Sequence, residues 1–185
     1  MVAKLLLAVQ EYAVKASADA FNGCQKNSEK IEIAKELAMA YYDIRKGIGY
    51  NKTPDVYGAF PSDPYSHTPS MQGAKQPGMT GQVKEEILTR WGELGISIEK
   101  GAASFNPHFL QKTEFNDEGI LSFSWCGTNI IYVLGNDNKI SVTEKGISYE
   151  FDGCKLSAEL TKKLFARDGS ISSIRITMNL SENLM

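Results

Sequence analysis

The stretch Glu93-Leu94-Gly95-Ile96-Ser97-Ile98-Glu99-Lys100-Gly101-Ala102-Ala103-Ser104-Phe105 is where the chain changes its period. Before it, Val83, Ile87, Leu88, Trp91 and Leu94 recur at steps of three and four, an apolar stripe for a helix opened by Thr80 and closed by Gly95. After it, Ile96-Ser97-Ile98 and Ala103-Ser104-Phe105 alternate about the turn Glu99-Lys100-Gly101, which is the pattern of strands. The chain therefore reads as α+β, helices first and strands second.

Toward the C-terminus the alternation continues through 120–125, 129–134, 139–143 and 147–151. The joints Gly135-Asn136-Asp137-Asn138, Lys145-Gly146 and Asp152-Gly153 have turn chemistry, so these segments read as an antiparallel meander. Residues 157–165 suit a short helix or a long loop, and Ile171 to Met178 a last strand, so that 96–185 form an antiparallel β-sandwich-like half. Toward the N-terminus, Leu5, Val9, Tyr12, Ala13, Ala16, Ala20 and Phe21 keep helical steps, as do Ile31, Ala34, Leu37, Ala38, Tyr41 and Ile44. Helices are expected over 4–22, 28–46 and 80–94, within a helical segment 1–95.

Between the second and third helices, 47–79 holds five of the six prolines together with Tyr50, Tyr57, Phe60, Tyr65 and His67. Proline forbids a regular ladder there, and aromatic groups favour burial over solvent. The stretch is expected to be a long ordered loop of the active-site type. It leads into Gly78-Met79-Thr80-Gly81-Gln82, where the free N–H groups of a helix start can hold an anion or a sugar hydroxyl. Thr80 and Gly81 also fit an ordinary cap. Asp63 and His67 are close enough in sequence for proton transfer, although a loop histidine also serves by bonding a backbone carbonyl. Glu85 and Glu86 point about 100° apart on a helix and cannot flank one glycosidic bond, so they read as surface glutamates. Trp91 reads as core.

Composition removes several classes of function. Twenty basic residues against 22 acidic ones give a net charge of −2, too little field to recruit nucleic acid or anionic lipid. Lys162, Lys163 and Arg167 read as a solvated face. Cys24, Cys126 and Cys154 lack C-x-x-C spacing, and His67 and His108 are the only histidines, so neither a disulfide framework nor a metal site is expected. Leu5-Leu6-Leu7-Ala8-Val9 is cut short by Gln10 and Glu11, which argues against a signal peptide, and no run of 18 apolar residues occurs. A cytoplasmic location without membrane contact is expected. No G-x-S-x-G, Walker-type loop or S-x-x-K is present.

The order Pro77-Gly78-Met79-Thr80-Gly81, Glu93-Leu94-Gly95-Ile96, Glu99-Lys100-Gly101 and Ser104-Phe105-Asn106-Pro107 resembles the C-terminal end of large bacterial inverting glycoside phosphorylases of the cellobiose phosphorylase type. The likeness covers roughly Tyr41 to Pro107 and, more loosely, the strands through Leu180. It implies the last hairpins of an (α/α) barrel followed by a C-terminal β-sandwich. It further implies an oligosaccharide, with inorganic phosphate, as ligand, and no cofactor. Thr80 and Gly81 match the pair that contributes to the phosphate site. Asp63, His67, Gln76 and Gln82 would join them on one concave surface, His67 and Gln76 at its rim. Gln82-Val83-Lys84 stands where the family has aromatic residues, which keeps a glycoside hydrolase on the same barrel as the other possibility. The family's general-acid aspartate lies in an upstream barrel segment, so the chain alone is expected to be inactive. Bare barrel helices would make it a homo-oligomer through the helical half. The alternative is a carbohydrate-binding or protein-interaction module without catalysis.

Overall fold

The computed structural model describes residues 2–21, 28–46, 82–107 and 109–179. They form helices followed by mostly antiparallel β-sheets, an α+β fold, in two compact units, the chain passing from the first to the second between Gly92 and Glu93.

In the first unit, helices α1 (Val2–Phe21) and α2 (Ser28–Lys46) pack together. On α1 the buried row is Ala3, Leu6, Gln10, Ala13, Ser17 and Ala20, stepping alternately by three and four. It meets Ala34, Ala38 and Tyr41, the buried residues of α2. With so many small side chains in the seam the two backbones can approach closely. This corrects the expected stripe of α1: Ala13 and Ala20 are buried, but Leu5 and Tyr12 are exposed. The seam selects small residues over large apolar ones, which shifts the buried face around the helix. Helix α3 (Gln82–Glu93) departs further, because Ile87 and Leu88 are 48% and 44% exposed while Glu85 and Thr89 are buried. Trp91 is half-buried.

The second unit opens with the hairpin β1 (Ile96–Glu99) and β2 (Ala102–Phe105). Gly95 joins α3 to it with φ +65°, and a Cβ there would lie 2.1 Å from the Asn106 carbonyl carbon. Only glycine fits that approach, which the bond from the Asn106 N–H to the Gly95 carbonyl (2.9 Å) holds in place. A five-stranded sheet follows, built from β3 (Ile120–Trp125), β4 (Thr128–Leu134), β5 (Lys139–Glu144), β6 (Ile147–Asp152) and β7 (Ile171–Met178). Helix α4 (Ala158–Ala166) precedes β7. Positive φ angles at Lys100-Gly101, Cys126-Gly127 and Lys145-Gly146 make two-residue turns of the hairpins β1–β2, β3–β4 and β5–β6.

The strand order is β3-β4-β7-β5-β6, so the expected meander is interrupted. β7 lies between β4 and β5, parallel to the first and antiparallel to the second. Its Ile174, Ile176 and Met178 are all buried on one face, with Ile130 and Tyr132 of β4 on one side and Ile140 and Val142 of β5 on the other. A strand so apolar gains most at the centre of a sheet. The hairpin β1–β2 and α4 cover that face. Phe105 makes edge-on contacts with Trp125 and Tyr132, and Phe165 of α4 with Trp125. Thr161, fully enclosed, accepts the Ala103 N–H (3.0 Å) through its hydroxyl and donates to the Ser157 carbonyl (2.9 Å). The Tyr132 hydroxyl donates to the Leu94 carbonyl, anchoring the entry to the unit.

Candidate functional site

Of the residues singled out from sequence, Asp63, His67, Gln76, Thr80 and Gly81 lie outside the described residues, as do Cys24 and His108. Gln82 is the first residue of α3, with its side chain outside them. What the structure describes is the helix that this candidate site runs into.

One turn into α3 stands Glu85, 5% exposed, and its Oε2 has no hydrogen-bond partner among the described residues. The reading of Glu85 as a surface glutamate is thereby corrected. Glu86 is half-buried, and its main-chain carbonyl accepts the Thr89 hydroxyl at 3.0 Å. Thr89, four residues beyond Glu85, shares its face of the helix. The Thr89 carbonyl accepts Nε2 of the buried Gln10 of α1 at 2.7 Å. Gly92, a further turn along, makes room for this amide, since a Cβ there would stand 2.2 Å from Gln10 Oε1. Ser17, two turns beyond Gln10 on α1, is also buried, and its Oγ lacks a partner among the described residues.

Around Gln10 and along α3 the helical unit thus turns polar groups inward, while Leu5, Tyr12, Ile87 and Leu88 face outward. A buried carboxyl without a bonded partner is costly, and it gives that interior an acceptor for hydroxyl or N–H donors. Sequence reasoning missed Glu85, Gln10 and Ser17. Their signal was spacing: Gln10 and Ser17 fall in step with Ala3, Leu6, Ala13 and Ala20, and Glu85 lies four residues before Thr89.

The second unit holds less chemistry. Cys126 and Cys154 are free thiols, and burial pushes the Cys154 thiol above its ordinary value. Lys162, Lys163 and Arg167 are exposed as expected, and Lys163 pairs with Glu144 at 2.7 Å. No helix among the described residues is long and apolar enough to cross a membrane, and no group of His, Cys, Asp and Glu among them has the make-up of a metal site. No family model matches the chain, and comparison with curated proteins gives no match.

Proposed function

We propose that this chain is the C-terminal part of a carbohydrate-active (α/α)-barrel enzyme, a glycoside phosphorylase or glycoside hydrolase, and that alone it binds an oligosaccharide or phosphate without cleaving a glycosidic bond. The observation that carries the reading is the inverted polarity of α3, with Glu85 and Thr89 enclosed and Ile87 and Leu88 facing outward. A helix of that polarity suits a wall between a polar interior and an apolar outer layer. Sugar-binding barrels need such a wall, because a sugar presents many hydroxyl donors and an enclosed carboxylate accepts two of them at once. Glu85 also stands one turn into α3, which begins at Gln82 directly after Thr80-Gly81 in the sequence, so an anion at that end of the helix and a hydroxyl at Glu85 would fall within the reach of one ligand.

The test is an amide-resolved NMR titration with inorganic phosphate, glucose and cellobiose, run on the wild type and on Glu85→Gln. Shifts at Thr80, Gly81, Gln82 and Glu85 are expected, with a dissociation constant of about 1 mM or weaker. Phosphate-selective shifts favour the phosphorylase, and sugar-selective shifts the hydrolase. Still amides with all three ligands refute the reading. Turnover of an aryl glycoside that disappears in His67→Ala refutes the inactivity of the chain.

A further inference from the structure

Strand β6 ends the five-stranded sheet, and nothing among the described residues hydrogen-bonds its outer side. The Gly153 N–H donates to the Asn138 carbonyl at 2.8 Å, and bonded pairs alternate along an antiparallel ladder. Phe151, Tyr149 and Ile147 therefore spend their main-chain groups on β5, and those of Ser148, Glu150 and Asp152 point away from the sheet. The side chains of Ile147, Tyr149 and Phe151 lie on the same face as the buried Ile140 and Val142, yet are 59%, 46% and 44% exposed.

The opposite edge is closed at one end. There Asn116 Oδ1 accepts the Ile120 N–H (2.8 Å) and the Asn116 N–H donates to the Ile120 carbonyl (3.0 Å), which closes one end of β3. The apolar row of β3, Leu121, Phe123 and Trp125, is half-buried or buried. Natural sheets blunt exposed edges with charge, proline or a covering loop; on β6 the charges Glu150 and Asp152 lie on the other face from Ile147, Tyr149 and Phe151, beside which the nearest charged pair is Glu144 with Lys163, already bonded to each other at 2.7 Å.

We infer that β6 pairs antiparallel with β6 of a second copy of the chain, with Tyr149 on the two-fold axis. Charge selects the register. Parallel pairing would set Glu150 beside Glu150 and Asp152 beside Asp152, and antiparallel pairing centred on Glu150 would again oppose the two carboxylates. Centring on Ser148 puts Phe151 opposite Lys145. Centring on Tyr149 places Ile147 opposite Phe151 and Ser148 opposite Glu150, so every apolar residue of the edge gains an apolar partner. The outward groups of Ser148 and Glu150 then make four main-chain hydrogen bonds across the axis, and the two sheets become one of ten strands. The helical unit exposes apolar side chains too, but nothing there selects an occupant. A six-residue edge is smaller than a standard interface of about 800 Å² per partner, so the dimer is weak, with a dissociation constant on the order of 100 µM.

Sedimentation of the full chain from about 10 µM to about 1 mM, on either side of that value, tests the inference. The wild type should pass from monomer to dimer. Tyr149→Lys, and Ser148→Pro, which removes an outward N–H and no main-chain bond to β5, though it gives up the hydroxyl contact with Thr143 (2.9 Å), should each weaken association at least about tenfold. Leu88→Lys on α3 should leave it unchanged. Hydrogen exchange at the Ser148 and Glu150 amides should slow as the wild type is concentrated, a readout that stands even if a variant misfolds. A monomer across the whole range overturns the inference. So does a dimer lost in Leu88→Lys but kept in Tyr149→Lys, or one in which those amides exchange as fast as in dilute protein.

Discussion

Replacing Gly92 with alanine sets two effects of known size against each other. In a helix interior, alanine is favoured over glycine by about 0.5–1 kcal/mol. Here, however, the new Cβ would stand 2.2 Å from Oε1 and 2.8 Å from Nε2 of Gln10, inside the amide that donates to the Thr89 carbonyl at 2.7 Å. Gln10 is buried, so once displaced it finds no water to replace that bond, and leaving a buried polar group unpaired costs about 1–3 kcal/mol. The second effect is the larger, and Gly92→Ala should destabilise the protein by about 1 kcal/mol. In a Gln10→Ala background the obstruction is gone, and the same substitution should stabilise by about 0.5–1 kcal/mol. The sign therefore reverses between backgrounds, with a coupling of about 1.5–2 kcal/mol, well inside the range for residues in contact. Urea unfolding of the four proteins, followed by helical circular dichroism, measures it. A coupling below about 0.5 kcal/mol would refute the argument that Gly92 is there to admit Gln10.

The second unit supplies two further tests. Thr161→Val leaves the Ala103 N–H (3.0 Å from the hydroxyl) without its acceptor and should cost about 1–3 kcal/mol, whereas Thr161→Ser, which keeps the oxygen, should recover most of it; equal losses in chemical denaturation would disprove the hydrogen-bond account. A hydrogen bond to Glu144 holds the Lys163 ammonium above its ordinary 10.5, and one to Glu150 does the same for Lys139. Groups whose pKa rises on folding stabilise fully below the unfolded value and lose that contribution as pH climbs through the folded one, so both act at the alkaline end. Lys163→Met should flatten the fall of melting temperature above about pH 10 and leave the acid side unchanged, and an altered acid limb with an intact alkaline one would contradict the assignment.

Strand positions were legible because a period of two and tight-turn residues are both local signals. Ser97-Ile98-Glu99-Lys100-Gly101 and Val142-Thr143-Glu144-Lys145-Gly146 each carry a strand into a turn whose φ angles are positive at the last two residues. The place of β7 was not legible in the same way. Pairing of sequence neighbours is the cheaper closure, and it favoured β4 beside β5. The only hint was composition: Ile171, Ile174, Ile176 and Met178 flank a single charge, Arg175, and a strand that apolar needs a neighbour on each side. Four residues, Gly135 to Asn138, then carry the chain from β4 across β7 to β5, and the bond from the Gly135 N–H to the Met178 carbonyl (2.9 Å) ties that crossing down.

All three helices were located from their period, but on two of them the buried face differs from the expected stripe. Periodicity fixes which residues share a face, and direction was then supplied by the assumption that large apolar groups turn inward. On α2 the assumption holds, since Ala34, Ala38 and Tyr41 are enclosed. On α1 it fails because the seam with α2 takes small residues, and on α3 because its contact with α1 is built around a side-chain amide. Gln10 reaches the α3 backbone only because Gly92 removes the side chain that would stand in its way. Once that contact fixes the rotation of α3, Thr89 must face inward, and Glu85, one turn earlier, must follow it. Ile87 and Leu88, two residues and one residue before Thr89, are then carried to the outer side whatever their hydrophobicity. The burial of Glu85 is thus a geometric consequence of a glycine seven residues away.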